Sequence, residues 1–239
     1  MITGANGGIG QALCTAFNEA GYRIIATDRQ IDAECNCDQY IQADLFDLVK
    51  DRQLLDDFVQ RSQSKLTGLD VLVNNAAVQV LSSLDTLNVE DFRYSLDINV
   101  TATLVLTQAF QRLLIDSKGS VVNIGSIHAS LTKPAFISYA TSKTALRGLT
   151  KALAVDLGGK IRVNCIEPAA INTAMMIDGF KETPEKLSEL AACHPTGKIG
   201  QPGDIARTAV FLANPDNEFM TGTILAVNGG IANRLYDPV

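Results

Sequence analysis

The stretch Thr3-Gly-Ala-Asn-Gly-Gly-Ile-Gly10 decides the fold of this 239-residue chain. Its spacing, Gly4-x-x-x-Gly8-x-Gly10, is a variant of a dinucleotide-binding fingerprint, in which glycines let the backbone turn tightly and approach a pyrophosphate. A helical pattern runs over 8–20 and stops at Gly21. Because a helix N-terminus favours negative charge, the stretch predicts a strand–turn–helix unit that binds a dinucleotide.

Apolar, strand-like runs alternate with helical patterns along the rest of the chain. The strand candidates are 22–27, 40–43, 69–74, 120–125, 161–166 and 223–227, and the further helix candidates are 47–65, 101–115, 138–157 and 203–213. Nearly continuous apolar strands are expected where helices cover both faces of a parallel sheet. The pattern predicts an α/β fold of the Rossmann type, a doubly wound parallel sheet of about seven strands in a three-layer sandwich. No linker or repeat divides it, so 1–239 is predicted to be one domain.

The first strand is unusually short in this scheme. Only Met1 and Ile2 precede the glycine-rich turn, whereas strands usually have about 5–6 residues. Either the strand is short or a few native residues are missing from the sequence. Since this strand is central in such a sheet, we expect two or three apolar residues added before Met1 to raise the melting temperature.

Composition excludes several classes of protein. The chain is 46% hydrophobic and carries a net charge of −6, which favours an ordered globular protein without a basic surface for nucleic acid or anionic membrane. No apolar run approaches the roughly 18 residues of a membrane span, and the early glycine-rich turn leaves no room for a signal peptide. These features predict a cytoplasmic protein.

The cysteines and histidines predict neither a disulfide scaffold nor a metal site. The five cysteines are an odd number in a chain of this size, and Cys35-Asn-Cys37 lacks the Cys-x-x-Cys spacing of common zinc and redox pairs. The two histidines, His128 and His194, are far apart. Ordinary reduced thiols are the preferred interpretation.

The acidic residue Asp28 indicates which dinucleotide binds. It follows the second strand candidate about 20 residues after the glycines, where a carboxylate can accept hydrogen bonds from ribose hydroxyls and would repel a 2′-phosphate. Arg29 could hold such a phosphate, but Asn6 and Gly7 in the turn add no second cation. The sequence therefore favours NAD over NADP, with a simple turn carboxylate as the alternative role of Asp28.

Tyr139-Ala-Thr-Ser-Lys143 supplies a candidate acid–base pair. Residues four apart lie on one face of a helix. A lysine ammonium favours a phenolate and would lower the pKa of the tyrosine from its usual value near ~10. The pair thus predicts a general acid/base that works near neutral pH.

Together these motifs resemble the short-chain dehydrogenase/reductase family over essentially the whole chain. The matching elements are Thr3-Gly4…Gly8-x-Gly10, Asp44 in Ala-Asp-Leu, Asn74-Asn75-Ala76-Ala77, Asn99, Ser126, Tyr139-x-x-x-Lys143 and Asn164-x-x-x-Pro168. The resemblance implies hydride transfer between a nicotinamide cofactor and an alcohol or ketone.

The resemblance also implies the role of each catalytic residue. Tyr139 would exchange a proton with the substrate oxygen, and Ser126 would hydrogen-bond the same oxygen. Lys143 would lower the pKa of Tyr139 and bind the nicotinamide ribose, and Asn99 would help hold a water of a proton relay. Ser126 has a better offset from Tyr139 than Ser130 has, although a turn or helix-cap role is the alternative for Ser126, and a helix cap for Asn99.

The implied cofactor residues cover most of the motifs. Asp44 would meet the adenine, Asn75 and Ala76 would line the cleft, and Thr173 would contact the carboxamide. The full set is Thr3, Gly4, Asn6, Gly8, Ile9, Gly10, Asp28, Arg29, Asp44, Leu45, Asn75, Ala76, Ala77, Tyr139, Lys143, Pro168, Ala169, Ile171 and Thr173. Ala77 and Ala169 stand where the family commonly has glycine, so both turns are expected to shift slightly, because alanine tolerates positive φ poorly.

Substrate and assembly are less specified. The segment 174–198, with Met175, Met176, Ile177 and Phe180, is expected to cover the substrate as a partly apolar lid or, alternatively, to be a surface helix. The resemblance implies a homotetramer or dimer, with the helices near 101–115 and 138–157 and the region 221–227 at the interfaces.

Three alternatives stay open beside an NAD-dependent alcohol dehydrogenase. One is an NADPH-dependent ketoreductase for acyl-carrier-protein substrates, which would need a basic docking patch. Another is an epimerase or dehydratase on the same scaffold. The third is a non-catalytic nucleotide sensor, which could dispense with Ser126, Tyr139 and Lys143.

Overall fold

A computed structural model describes residues 1–64, 68–181, 183 and 185–235, without the side chain of Met175. Its strands form one seven-stranded sheet in the order β3-β2-β1-β4-β5-β6-β7, and every neighbouring pair is parallel. The strands are β1 (Ile2–Thr3), β2 (Ile25–Asp28), β3 (Gln39–Gln42), β4 (Val71–Asn74), β5 (Ser120–Ile124), β6 (Arg162–Pro168) and β7 (Ile224–Val227). The predicted doubly wound sheet is confirmed, and its order reverses between β1 and β4.

Helices cover both faces of the sheet. They are α1 (Gly8–Glu19), α2 (Leu45–Lys50), α3 (Arg52–Gln63), α4 (Val89–Leu96), α5 (Ala102–Asp116), α6 (Ile137–Asp156), α7 (Ala174–Asp178), α8 (Lys186–Cys193) and α9 (Pro202–Ala213). A π-helical turn (Asp97–Thr101) joins α4 to α5, and short 3-10 turns lie at Ile127–Ala129, Pro215–Asn217 and Ile231–Asn233.

Two helix predictions were wrong in detail. The single helix expected over 47–65 is two helices, because the Asp51 carboxylate accepts hydrogen bonds from the backbone N–H of Gln53 (2.8 Å) and Leu54 (3.2 Å) and so starts a new helix. Residue 65 lies outside the described residues. Helix α4 was not predicted, because a short segment with many polar residues is also typical of a loop.

The side-chain alternation of the strands divides the core in two. Leu72 packs with Leu106 and Phe110 of α5 on one face, whereas Val73 packs on the other face with Leu13 of α1. These residues are at most 1% exposed. Each such side chain contributes about 1.5–3 kcal/mol on burial, so both helical layers are needed to stabilise the sheet.

Strand β1 contains two residues, Ile2 and Thr3, and the amino group of Met1 is buried beside it. Met1 N donates to the Val71 carbonyl over 2.7 Å, and Val73 N donates to the Met1 carbonyl over 2.8 Å. Burial lowers the pKa of the amino group from 8.0 to about 5. The central strand therefore places a titratable group inside the sheet.

One helical stretch of the described chain, Val89–Asp116, is long and apolar enough by length and composition to cross a membrane. Its apolar side chains Leu106, Phe110 and Leu114 are buried in the core against the sheet. The hydropathy of this stretch is therefore accounted for by its packing inside the fold.

Candidate active site

The structure places the predicted site residues along one edge of the sheet, at the carboxyl ends of the strands. The glycine-rich turn follows β1, Asp28 ends β2, Asp44 follows β3, Asn75 follows β4, Ser126 follows β5, and Pro168 ends β6. Ligands of doubly wound sheets bind outside this edge where the strand order reverses. Here the reversal falls between the turn after β1 and the residues after β4.

The glycine-rich turn is too crowded for other residues. A Cβ on Gly10 would lie 2.1 Å from the Gly4 carbonyl oxygen, and a Cβ on Gly4 would lie 2.7 Å from Ala76 Cα. Gly4 also has a φ of 62°, which favours glycine. The turn thus brings bare backbone to the start of α1, as a pyrophosphate site requires.

Asn75 and Ala76, which follow β4, form hydrogen bonds to the glycine-rich turn after β1. Both of their backbone N–H groups donate to Thr3 Oγ1 at 3.0 Å, and Asn75 Nδ2 donates to the carbonyls of Thr3 (2.9 Å) and Gly4 (3.0 Å). These residues were predicted to line the cofactor cleft. In the structure they also hold the glycine-rich turn in place.

The side chain of Asn6, a predicted cofactor-binding residue, holds the loop after β2. Its Nδ2 donates to Gln30 Oε1 and the Asp32 carbonyl, both at 2.8 Å, while its Oδ1 accepts from Glu34 N at 2.9 Å. Asn6 is 7% exposed, and its side-chain amide supports the loop after β2 through these partners. Sequence spacing could not show this, because the partners lie 24–28 residues away.

Asp28 lies beside the glycine-rich turn, as the sequence predicted. Its Oδ2 accepts from Asn6 N at 3.1 Å, and its Oδ1 accepts from Arg29 N at 2.8 Å. Asp28 can therefore hold the turn and still accept hydrogen bonds from a ribose, since each carboxylate oxygen has a further lone pair. Arg29 is exposed next to it.

Asp44 and Thr173 cap short helices at the same edge. Asp44 Oδ1 accepts from Phe46 N at 2.9 Å at the start of α2, beside the buried Leu45. Thr173 Oγ1 accepts from Met176 N at 3.3 Å at the start of α7. The Thr173 methyl lies 3.1 Å from where a Cβ on Gly8 would be, so the segment after β6 reaches the glycine-rich turn.

Ala77 and Ala169, where the turns were expected to shift slightly, do not have positive φ. The described non-glycine residues with positive φ are Lys118 and Ala135. Ala77 and Ala169 therefore adopt ordinary backbone conformations, and their turns do not need glycine. Ala169 N donates to the Val227 carbonyl at 3.4 Å, which continues the pairing of β6 with β7.

Ser126 and Tyr139 meet at the carboxyl end of β5. The Ser126 side chain lies beside the phenol of Tyr139, where it lowers the pKa of that phenol, and Tyr139 projects from the first turn of α6. Ser126 Oγ also accepts from His128 N at 3.2 Å, which orients the hydroxyl. Two hydroxyl groups therefore converge where one substrate oxygen could accept from both.

Lys143 lies one turn below Tyr139 and is almost completely buried. Its Nζ donates to the Ile124 carbonyl at 2.8 Å and lies 5.6 Å from the centre of the Tyr139 ring. Burial lowers the pKa of its ammonium from 10.5 to about 8. A cation next to the phenol is thus retained at neutral pH.

The pKa of Tyr139 is raised instead of lowered as predicted, because burial disfavours the phenolate more than the neighbouring Ser126 side chain favours it. The sequence predicted the neighbours of the phenol but not the depth of its burial, and this depth decides the direction of the pKa shift.

Asn99 lies inside the π-helical turn and does not cap a helix. Its Oδ1 accepts from Val78 N (2.8 Å), and its Nδ2 donates to the Val78 carbonyl and Ser142 Oγ (both 2.9 Å). Ser142 in turn donates to the Tyr139 carbonyl at 2.8 Å. The side chain predicted to hold a relay water thus ties the segment after β4 to the helix that carries Tyr139.

Two further groups lie beside the site. His128 stacks on Phe136 with ring centres 4.3 Å apart and meets the Tyr139 ring edge-on at 5.7 Å, and burial lowers its pKa to about 4. Arg147, which the sequence did not indicate, forms a partly buried ion pair with Glu167 and also bonds Ser130, the serine set aside as the alternative to Ser126.

Comparisons with known proteins agree with this geometry. Residues 4–232 match the profile of a family described as "Enoyl-(Acyl carrier protein) reductase". The chain is 34% identical over 242 residues to the (2S)-[(R)-hydroxy(phenyl)methyl]succinyl-CoA dehydrogenase subunit BbsD of Thauera aromatica, covering 96% of this chain and 94% of that protein.

Solved structures share this fold over nearly the whole chain. The ligand-free aldohexose dehydrogenase of Thermoplasma acidophilum superposes with a TM-score of 0.92 at 28% identity, covering 100% of this chain and 95% of the other. ElxO with NADP bound has a TM-score of 0.87 at 28% identity, covering 98% of both chains.

The chain belongs to the short-chain dehydrogenase/reductase family. It is an NAD(P)-dependent oxidoreductase that interconverts alcohol and carbonyl groups. A tyrosine acid/base is typical of such enzymes, and the substrates of its relatives range from sugars to acyl-CoA compounds.

Proposed function

We propose that the enzyme transfers a hydride between NAD(H) and a secondary alcohol or ketone, with Tyr139 as the general acid/base. The contact between the Ser126 and Tyr139 hydroxyl groups beside buried Lys143 carries this proposal. Bound NAD(H) supplies or accepts the hydride, and the chain supplies orientation and the proton.

The proton step follows from the three side chains. Tyr139 donates its phenolic proton to the carbonyl oxygen during reduction, or accepts the hydroxyl proton during oxidation. Ser126 donates a hydrogen bond to the same oxygen and stabilises its developing charge. Lys143 stabilises the phenolate that reduction leaves, because its ammonium lies beside the ring.

The nucleotide side of the proposal rests on the glycine-rich turn and Asp28. The turn fits a pyrophosphate, because any side chain at Gly4 or Gly10 would fill the backbone cradle. Asp28 would accept hydrogen bonds from the adenosine ribose and repel a 2′-phosphate, which favours NAD. Asn6 does not counter this repulsion, since its amide is neutral and bound to the loop after β2.

One relative favours NADP as the alternative cofactor. ElxO, which the chain resembles over its length, binds NADP. Arg29 is exposed directly after Asp28 and could reach a phosphate. NADP is therefore the alternative that a cofactor comparison must exclude.

The experiment is a screen of secondary alcohols and ketones with each cofactor, following the absorbance of the reduced nicotinamide. We expect turnover with at least one substrate and a kcat/KM at least about tenfold higher with NAD(H), which corresponds to about 1.4 kcal/mol. A preference for NADP(H) would refute the role of Asp28. Equal turnover by the Ser126→Ala variant would refute the proton-transfer site.

We further propose that residues 1–239 act as one domain in a cytoplasmic homotetramer or dimer, with 174–198 covering the substrate. Exposed apolar residues support an interface: Val155 of α6 is 85% exposed and Phe211 of α9 is 49% exposed. Light scattering after size-exclusion chromatography tests the assembly, and a monomer at micromolar concentration would contradict it.

A further inference from the structure

An arginine on α6 joins the end of β6 to the turn that follows Ser126. Arg147 Nε donates to Glu167 Oε1 at 2.8 Å, and its Nη2 donates to Glu167 Oε2 at 2.5 Å and to Ser130 Oγ. The two bonds to the carboxylate are bidentate, which fixes the plane of the guanidinium as well as its position. We call Arg147, Glu167 and Ser130 the arginine bridge.

Glu167 anchors the arginine bridge inside the fold. It is 5% exposed in β6, and a Cβ on Gly125 would lie 3.1 Å from the Glu167 Cγ. Gly125 directly precedes Ser126, so the glutamate side chain packs against the backbone that leads to the serine. A buried carboxylate is costly without a partner charge, and Arg147 supplies that charge.

The other end of the arginine bridge closes the 3-10 turn that starts at Ser126. Ala129 N donates to the Ser126 carbonyl at 3.0 Å. Ser130 N donates to the Ile127 carbonyl, also at 3.0 Å. Within the same turn, Ser126 Oγ accepts from His128 N at 3.2 Å. The direction of the Ser126 hydroxyl therefore depends on where the backbone of this turn lies.

Helix α6 holds the turn at a second point. Thr144 Oγ1 donates to the Ala129 carbonyl at 3.2 Å. Thr144 and Arg147 are three positions apart, so both lie on one face of the helix. The helix that presents Tyr139 and Lys143 thus also fixes the turn that presents the serine hydroxyl.

We propose that Arg147 is a positioning residue, which sets the place of the Ser126 hydroxyl relative to Tyr139 through the arginine bridge. This inference rests on the proposed role of Ser126 as a hydrogen-bond donor to the substrate oxygen. Such a donor stabilises developing charge only if it is already in place when the charge forms. Arg147 acts through Ser130 and Glu167, so loss of the bridge should lower kcat while the KM and the binding of NADH change little.

Ser130→Ala is the cleanest variant, because it removes one end of the bridge and leaves the ion pair intact. We expect kcat to fall about three- to tenfold and the KM to change by less than about twofold, with an unchanged melting temperature. Arg147→Met should lower kcat by roughly 10- to 100-fold. Arg147→Lys, which keeps the charge but not the fork, should lie between wild type and Arg147→Met. Arg112→Met, which removes an exposed arginine paired with Asp116 on α5, is the matched control.

A double-mutant cycle with Ser126→Ala separates positioning from a general loss of structure. Once the Ser126 hydroxyl is absent, a shift of the turn has no donor left to misplace. Ser130→Ala should therefore lower the kcat of Ser126→Ala by less than about twofold. Arg147→Met/Glu167→Gln, which removes both charges together, takes the place of Arg147→Met in this cycle if the single variant does not fold.

The kinetic outcomes distinguish the arginine bridge from the proton-transfer site. Effects of Ser130→Ala and Ser126→Ala that multiply would overturn the positioning role. Wild-type kcat in both Ser130→Ala and Arg147→Met, with Ser126→Ala impaired, would refute the bridge alone. Wild-type kcat in Ser126→Ala would refute the proton-transfer site and the bridge together.

Amide hydrogen exchange tests the arginine bridge without a substrate. Exchange over 127–131 should be faster in Ser130→Ala and Arg147→Met than in wild type, and unchanged in Arg112→Met. Equal exchange in wild type and both bridge variants would show that the bridge does not hold the turn, and would overturn the proposal.

Discussion

The two halves of the active site are held by different forces. The nucleotide half, from Thr3 to Gly10 and at Asn75, is held by hydrogen bonds between backbone groups and the side chains of Thr3 and Asn75, and by contacts that leave no space for a Cβ. The proton-transfer half, at Ser126, Tyr139 and Lys143, consists of buried polar side chains with shifted pKa values. The first half should therefore respond to changes of volume, and the second to changes of charge and single polar atoms.

The largest expected effect is in the proton-transfer half. Lys143→Met keeps the length of the side chain but removes its charge, so we expect kcat to fall by roughly 10²–10⁴-fold. The melting temperature should not fall, because burial already disfavours the ammonium and lowers its pKa to about 8. Steady-state kinetics and calorimetry measure both. Lys151→Met, an exposed site on the same helix, is the matched control.

The first strand should make the free energy of unfolding depend on pH, through the buried amino group of Met1. Since burial lowers the pKa of the Met1 amino group from 8.0 to about 5, only the unfolded chain takes up this proton between these values. The free energy of unfolding should fall by up to about 4 kcal/mol as the pH drops from 8 to 5.

An extended chain isolates this contribution from other titrating groups. Adding two or three apolar residues before Met1 replaces the amine by a peptide N–H, so that part of the pH dependence should vanish and the melting temperature should rise. A Gly-Ser-Gly extension should remove the pH dependence with a smaller rise. Identical urea-unfolding curves for all three chains from pH 5 to 8 would contradict this explanation.

Gly10→Ala tests the volume sensitivity of the nucleotide half. The added Cβ would lie 2.1 Å from the Gly4 carbonyl, so we expect a loss of about 3 kcal/mol in stability and of measurable NAD(H) binding. Gly148→Ala is the matched control, because no atom lies within 4 Å of its Cβ position in α6. Normal NADH binding by Gly10→Ala would show that the turn is not a tight cradle.

The smallest expected effect is that of Asp28→Asn on the preference for NAD over NADP. The amide retains one oxygen for the hydrogen bond from Arg29 N but lacks the charge that would repel a 2′-phosphate. We expect the ratio of kcat/KM for NAD to that for NADP to fall about tenfold. Asp32→Asn, the same change on an exposed residue of the same loop, should leave the ratio unchanged.

The sequence predicted the fold that carries the nucleotide half, because its signals are local. Glycine spacing and alternating apolar runs depend on neighbours in the chain, and the doubly wound parallel sheet and the position of Asp28 after the second strand followed from them. Two details were not predicted. The side-chain partners of Asn6 lie 24–28 positions away in the sequence, and the cap at Asp51 competes with an otherwise continuous helical pattern.

In the proton-transfer half the sequence identified the groups but not their electrostatics. The spacing of Tyr139 and Lys143 placed them on one helix face, as observed. The pKa of Tyr139 is nevertheless raised, because its burial depends on how β5, α6 and the segment after β4 pack.

The most direct test of the account is Tyr139→Phe, measured for turnover and for cofactor binding in the same preparation. The chain has no tryptophan, so binding can be followed by the fluorescence of NADH itself. The account predicts that kcat falls by at least about 10³-fold while the Kd for NADH changes by less than about threefold. Turnover close to that of the wild type would contradict the assignment of Tyr139 as the proton donor.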